Sequence, residues 1–522
     1  MRAALRQREK LRSQISTLRS VPAPIGGWNT RDALASMKPT EAIALDNWFP
    51  GTSYCEIRGG HANHATDMTG NGKTLAVHTA ATGTAKMFCA TSIGVYDVSS
   101  AGAVGASVAA RTNGKHQHTN FGDGTNHWLI MVNGVDKPLY YNGSAWTAVD
   151  DASSPALTGL TTTSLVGVFV FKGRLIFLQN DLLGFWYLAA GTAGGALTKF
   201  DLSGQASRGG YVIAGANWTV DGGDGIDDRA VFVTSKGEII VYQGTDPASA
   251  STWAKVGTYS LAEPLGRRCL VKYGGDLVIL TENGAFPLSV ALNTADQSAK
   301  LALSFKIENT FTEAARTYGS VFGWDAIVYP ERSALIVNVP LAEDGTHYQY
   351  VMNTITKAWC RFTDWPAEDF AVFDTALYFT TGTKVVKAWS GVSDNGANIV
   401  AYGKTAFHYF GSPSSLKRFS MFRPVLAVDG ALAFLTDIDV DFKNTSILGS
   451  AVYAKTSSAV WDTDKWDSGS WAAELEIIKE WTSPDEYSGL CSAGKIRVDT
   501  NDLTVRWISC DYLFESGAGN LP

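Results

Sequence analysis

An all-β fold is predicted by three observations. A strand-turn-strand unit recurs through the first 400 residues, glycine and aromatic residues are abundant, and the units follow one another at a regular step. The clearest copy is AVFVTSKGEIIVYQG at 230–244, where two runs of Val, Ile, Phe and Tyr flank a Ser-Lys-Gly turn. That pattern is a hairpin signal, because branched and aromatic residues suit a pleated surface and glycine supplies the turn. Related copies lie at 86–98, 128–143, 174–188, 276–288 and 376–391. Each ends near an aromatic residue: Tyr96, Tyr140, Trp186, Tyr242, Phe286 and Trp389, at steps of 44, 46, 56, 44 and 103 residues. The last step has room for two further hairpins, at 327–339 and 347–362. A step of roughly 40–60 residues of pure hairpin predicts a propeller-like array with one blade per unit. A large antiparallel β-protein of another kind is the plainer alternative.

The elements follow in order. Residues 1–20 carry Ala4, Leu11, Ile15 and Leu18 at helical spacing and predict a short N-terminal helix. Its apolar stripe is thin, so it needs a partner surface. Val21-Pro22-Ala23-Pro24 stops it and completes a basic arm over 1–24. Residues 25–73 read as a docking segment with a short helix at 39–46, anchored by Trp28, Trp48 and Phe49. The propeller-like domain is expected over 74–398, its loops rich in Ser, Thr, Ala and Gly at 145–163 and 189–210. From residue 399 the strands lengthen and their alternation breaks, which predicts an additional C-terminal β-domain, sandwich-like, over 399–522.

Composition narrows the function. Gly is 52 of 522 residues, with 16 Trp and 19 Tyr, which suits a turn-rich β fold. Charged residues are only 18%, below the ~25% usual in globular chains, and a surface short of charge is suited to burial against partners. The net charge of −7 argues against general binding to nucleic acid or anionic membrane. It is unevenly placed: residues 1–20 hold six Arg or Lys and one Glu, net +5, which leaves −12 for the rest. The six cysteines show no metal-ligand spacing and are expected to be free thiols, mostly in strands, in a reducing cytoplasm. No apolar run approaches a membrane span, and no apolar segment follows the basic residues as in a secretory signal.

Candidate chemistry is thin. Asp221, Asp224, Asp227 and Asp228 with three glycines can wrap a hard cation, but their spacing is not that of an EF-hand, and a solvated turn is the stronger reading. His61 with His64, and His116 with His118 and His127, invite a metal reading, yet no Cys or carboxylate completes either set. Asp462, Asp464 and Asp467 beside Trp461, Trp466 and Trp471 have the makings of a sugar platform, or equally of an interface cap. No nucleophile elbow, zinc-protease helix or phosphate loop occurs, so no catalytic residue, cofactor or metal ligand is assigned and no enzyme is expected. The most legible functional element is the basic arm: Arg2, Arg6, Arg8, Lys10 and Arg12 project from several faces of a short helix.

Three long strings carry a resemblance. They are GGWNTRDALASMKPTEAIALDNWFPGTSYCEIRGGHANHA, DGIDDRAVFVTSKGEIIVYQGTDPASASTWAKVGTYSLAEPLGRRCLVKYGGDLVILTENGAFPL and MNTITKAWCRFTDWPAEDFAVFDTALYF. Together they resemble the tail hub or nozzle proteins of short-tailed bacteriophages, a DNA-stabilisation, tail tubular type of structural protein, over most of 25–400. The resemblance implies a propeller-bearing virion subunit, a homo-oligomer of six below the portal-adaptor proteins. Such a ring continues and helps close the DNA ejection channel and supports tail fibres or a distal plug. Genomic DNA passes through it without sequence-specific binding, and the protein belongs to the virion tail, assembled in the host cytoplasm. No catalytic residue transfers with it. An acidic body would suit a channel wall that lets DNA slide.

A structural tail nozzle is therefore the leading expectation. Arg2, Arg6, Arg8, Lys10, Arg12, Trp28, Arg31, Trp48 and Phe49 are the expected assembly interface. The alternative is a propeller-type carbohydrate-binding or glycan-degrading protein using the loops at 221–228 or 461–471, and a third reading is a cellular protein-binding scaffold.

Overall fold

The structure is a computed structural model of the full chain, and it describes residues 16–80, 85–221, 226–292, 299–447, 449, 475–485 and 488–517. It is all-β and multi-sheeted, with short helical segments, of which Glu308–Tyr318 is the longest among the described residues. The chain separates into two units, Arg58–Ile399 and Met1–Ile57 together with Val400–Pro522.

The larger unit is built from the hairpins that the sequence predicts, each extended by a flanking strand. Gly72–His78, Lys86–Thr91, Gly94–Asp97 and Ala109–Ala110 make the first sheet. Gln117–Gly122, His127–Val132, Leu139–Tyr141 and Trp146–Ala148 make the second. The third runs Leu165–Phe171, Arg174–Gln179, Gly184–Tyr187 and Thr198–Asp201. The fourth runs Val212–Asp221, Ile226–Thr234, Glu238–Gly244 and Trp253–Ser260. A three-stranded fifth sheet holds Leu270–Tyr273, Asp276–Thr281 and Gly284–Pro287. After Glu308–Tyr318 comes a sixth antiparallel meander, Asp325–Tyr329, Ala334–Pro340, His347–Asn353 and Trp359–Phe362. The two hairpins at 327–339 and 347–362 thus belong to one sheet.

The seventh sheet is assembled from both ends of the unit. Asp369–Phe373, Ala376–Thr381 and Lys384–Ala388 form a meander, and His61–Thr66 pairs antiparallel with Lys384–Ala388. Arg58 seals this closure. Its guanidinium, fully buried, meets Asp394 at 2.6 Å, and His61 Nδ1 lies 2.9 Å from the same carboxylate. Gly60 is required here because a Cβ would sit 1.8 Å from the Ser393 carbonyl oxygen.

Apolar clusters fill the spaces between consecutive sheets, since each sheet has two apolar faces to cover. Phe88 and Val95 of the first sheet pack with Leu129 and Tyr141 of the second. Ile130 and Tyr140 of the second pack with Leu175 and Phe177 of the third. Phe171 and Phe185 of the third pack with Phe232 and Tyr242 of the fourth. The seventh sheet returns to the first: Ala371, Tyr378 and Val385 share a cluster with Leu75, Cys89 and Tyr96. The aromatic that closes each predicted hairpin is therefore an inter-sheet packing residue in at least Tyr96, Tyr140 and Tyr242. Burial of each such ring contributes roughly 1.5–3 kcal/mol.

The smaller unit holds two sheets. In one, Lys417–Val428 and Val505–Ser516 form a long antiparallel pair, flanked by Cys55–Ile57, Trp48–Pro50, Glu476–Ile478, Ser488–Gly489 and Thr17–Pro22. The other holds Glu41–Asp46, Ile399–Thr405, Ser492–Thr500 and Phe434–Val440, with Gly27–Trp28 beside Glu41–Asp46. Gly403 and Gly494 of the second sheet admit Trp507 and Phe422 of the first, because a Cβ at either would meet those rings at 2.5 Å.

Two helix expectations are corrected. Residues 1–15 lie outside the described residues, but Thr17–Pro22 is a strand that pairs with Val505–Ser516, Thr17 opposite Phe514 and Pro22 opposite Ser509. A thin helical stripe loses to the ladder of backbone bonds that a free sheet edge provides. The helix expected at 39–46 is the strand Glu41–Asp46. Burial of Ala42 and Leu45 between neighbouring strands overrides its helical propensity. All six cysteines are buried free thiols, and Cys55, Cys89, Cys360 and Cys510 lie in strands. No helix among the described residues is long and apolar enough to cross a membrane.

Candidate functional site

The first strands of six consecutive sheets, the second to the seventh, line one cavity of about 510 Å³. Adjacent sheets stack face to face, so their leading strands converge and their opening residues meet. Gly215, in the fourth sheet, makes the approach possible, because a Cβ there would lie 2.5 Å from the Phe169 ring of the third.

Two carboxyl groups meet in this cavity because each opens the first strand of its sheet. Asp325 begins Asp325–Tyr329 and Asp369 begins Asp369–Phe373. Asp369 is well held: its Oδ2 accepts the Leu75 amide at 2.7 Å, and Arg268 Nη1 lies 2.8 Å from its Oδ1. That last contact is ionic, because Nη1 does not point its hydrogen at the carboxylate. Arg268 is fixed by its other nitrogen, Nη2, which donates to Thr74 Oγ1 at 2.8 Å and to the Lys73 and His116 carbonyls at 3.2 Å. Burial, then the negative charge of Asp369, push the Asp325 carboxyl up to about 8, so it keeps its proton at neutral pH. The protonated Asp325 side chain is hydrogen-bonded to Asp369.

Two histidines stand above it on Gln117–Gly122 and the residue before that strand. Burial holds His116 down at about 4, so it is neutral, and the Gly114 backbone lies in hydrogen-bond reach of its ring. His118 faces open solvent on the cavity side but is crowded by protein atoms, which holds its imidazole below the ordinary range. Asn217 Oδ1 and Arg267 Nη1, on the same wall, are buried without a partner.

A second cavity of about 360 Å³ adjoins the first and shares Gln117, Arg267 and Arg268 with it. Phe322 lines it, with Lys115 at 4.7 Å and Arg268 at 5.1 Å from the ring centre. The lysines near this ring are neutralised. Lys73 lies within 3.3 Å of Glu343, Asp344 and Glu368, and Lys115 lies 2.8 Å from Glu343.

The residues expected at an interface fall elsewhere. Arg2, Arg6, Arg8, Lys10 and Arg12 lie outside the described residues. Trp28, Trp48 and Phe49 are buried: Trp28 Nε1 donates to the Ile43 carbonyl, and Trp48 meets Trp507 edge to face. Arg31 pairs with Asp32 at 2.7 Å. The 461–471 loop is outside the described residues, as are 222–225; Asp228 is tied to Lys172 at 2.8 Å and to Thr219. His61 serves Asp394, and His64 Nε2 bonds the Val98 carbonyl. No group of three potential metal ligands occurs among the described residues.

Sequence reading missed Arg267, Arg268, Asp325 and Asp369. A faint signal exists: DAIVY and DFAVF each place an acid at the head of an apolar run, and GRRC places two cations before another. Charges at strand ends are commonplace, and only convergence of the leading strands sets these apart.

Comparison with known proteins is sparse. No family model matches the chain, and no curated protein does. Solved structures with some likeness include the extracellular domain of the hybrid two component system BT3049 from B. thetaiotaomicron. It is 12% identical with a TM-score of 0.39 over 63% of this chain and 41% of that one. BBS1N, solved in complex with ARL6DN, is 10% identical with a TM-score of 0.41, over 65% of this chain and 99% of that one. An exo-beta-1,3-galactanase from Phanerochaete chrysosporium, solved with galactose, is 11% identical with a TM-score of 0.28, over 77% and 97%. The expectation of a virion tail hub or nozzle is corrected by the absence of any matching family or curated relative.

Proposed function

We propose that residues 58–399 form a propeller-like array of hairpin sheets whose axial cavity binds a saccharide without cleaving it. The array is supported by the return of the seventh sheet to the first and by the six leading strands around one cavity. The observation that carries the binding reading is a set of buried polar atoms without protein partners on that wall, Arg267 Nη1 and Asn217 Oδ1. A buried polar group left unpaired costs about 1–3 kcal/mol, so such a set is retained where a ligand satisfies it. The set mixes donors and acceptors. A sugar hydroxyl does both at once, and its C–H face packs on rings such as Phe169 and Phe370, which share the wall. The volume, about 510 Å³, is that of a small-ligand site.

Turnover is not part of this reading. Glycoside hydrolysis uses two carboxyl groups about 5–5.5 Å apart for retention or about 6.5–9.5 Å for inversion. Asp325 and Asp369 are hydrogen-bonded to each other and leave no room for a water or an anomeric carbon between them.

Calorimetric titration of the full chain with neutral and acidic oligosaccharides tests the proposal. Binding that weakens at least tenfold in Asn217→Leu, with no release of reducing sugar, is the expected result. Absence of binding by every saccharide at millimolar concentration overturns it.

A further inference from the structure

The charge of the cavity wall is opposite to that of the chain. The protein as a whole carries −7. On the wall stand Arg267, Arg268 and Lys272 against Asp325 and Asp369. Arg268 is matched by Asp369, and Asp325 and Asp369 hold a proton between them. Arg267 has no carboxylate in ion-pair range among the described residues. Its Nη2 donates to the neutral Asn180 Oδ1 at 3.0 Å, and its guanidinium lies 5.9 Å from the Tyr211 ring centre. Lys272, exposed on the same wall, also has no ion pair among the described residues. The contrast with Lys73 and Lys115 is informative, because those two are surrounded by carboxylates. Arg267, which lines both cavities, and Lys272, which lines the first, have no carboxylate within ion-pair distance among the described residues.

An unmatched, half-buried guanidinium is costly without an anion, and it is the preferred partner for a planar carboxylate, which it grips with two parallel bonds. We infer that the saccharide is acidic, a uronate whose carboxylate pairs with Arg267 while Lys272 supplies long-range attraction. This rests on the saccharide reading above. A neutral sugar satisfies Asn217 equally well but leaves Arg267 unmatched.

The test uses the full chain with uronate trisaccharides, trigalacturonate among them, each against its carboxyl-reduced counterpart. Hydrogen bonds to a charged group predict about 10–100-fold tighter binding of the uronate form. Added salt should narrow that preference, because Lys272 acts through solvent. Arg267→Gln should bring the ratio of the two affinities close to one. Lys272→Gln, an exposed change that leaves the fold intact, should reduce the uronate association rate and its salt dependence. A carboxyl-reduced form that binds as tightly as the uronate overturns the charge inference and leaves the saccharide reading standing. Failure of both forms to bind removes both. An unchanged ratio in Arg267→Gln, with the variant folded by circular dichroism, assigns the preference elsewhere and overturns the role of Arg267.

Discussion

Asp325 shows how much a single position depends on its company. An aspartate at the head of a strand ordinarily ionises near 3.8, and burial beside Asp369 pushes this one up to about 8. Between those values the folded protein holds a proton that the unfolded chain releases. Stability must then fall as pH rises through the window and level off above 8. His116 works in the opposite direction at lower pH: held down at about 4, it costs stability only where the unfolded imidazole is protonated, below about 6.5. Burial lowers His118 as it lowers His116. The range from 6.5 to 8 therefore isolates Asp325. Asp325→Asn removes the proton but keeps a donor toward Asp369. Its thermal midpoint should lose the downward slope over that range and exceed that of the wild type at pH 8. Parallel midpoint curves for the two proteins would show that Asp325 is ionised in the native state.

Among the elements, the short stretch from Arg58 to Thr66 has the greatest reach. It joins the beginning of the unit to its end through the Arg58–Asp394 ion pair, the His61–Thr66 strand and a backbone approach that only glycine permits. Gly60 N donates to the Gly391 carbonyl and Ser390 N donates to the Gly60 carbonyl, so neither strand can retreat from an added methyl. Gly60→Ala should cost about 1–3 kcal/mol or more, as overpacking against backbone does. Urea unfolding reads this as a lower midpoint at unchanged slope, and a variant as stable as the wild type would mean the closure is loose. The helical pattern at 1–20 teaches a related lesson. An edge of Val505–Ser516 recruited Thr17–Pro22 as a strand, because unpaired backbone groups on a sheet edge outweigh a weak amphipathic stripe.

For the whole molecule, the division into two units makes a prediction. Residues 58–399 hold the hairpin sheets and the apolar clusters that join them, and should fold when expressed alone, with a cooperative thermal transition. The proposed saccharide site lies in one cavity of that unit, so any binding should survive the separation. A fragment that gives no cooperative transition would mean that these sheets need the remainder of the chain. The low charge content of 18% fits a molecule that covers many sheet faces with other sheets. Its abundant aromatic residues fill the interfaces between those faces.

Hairpins were legible from residues alone because their determinants are local: alternating apolar residues, a turn of Gly, Asn or Ser, and a partner strand a few positions away. Each predicted hairpin is present, and Tyr96, Tyr140 and Tyr242 at the ends of three of them pack where one sheet meets the next. The candidate site was not legible. Asp325 and Asp369 are 44 positions apart, Arg268 is 57 before Asp325, and none sits in a motif. His61–Thr66 and Lys384–Ala388 are separated by more than 300 positions, with no local signal to pair them. Local chemistry decides whether a segment is a strand and where it turns. Which strands lead each sheet, and therefore which charges meet in the cavity, follows from stacking sheets face to face, a long-range packing that no window of the chain contains.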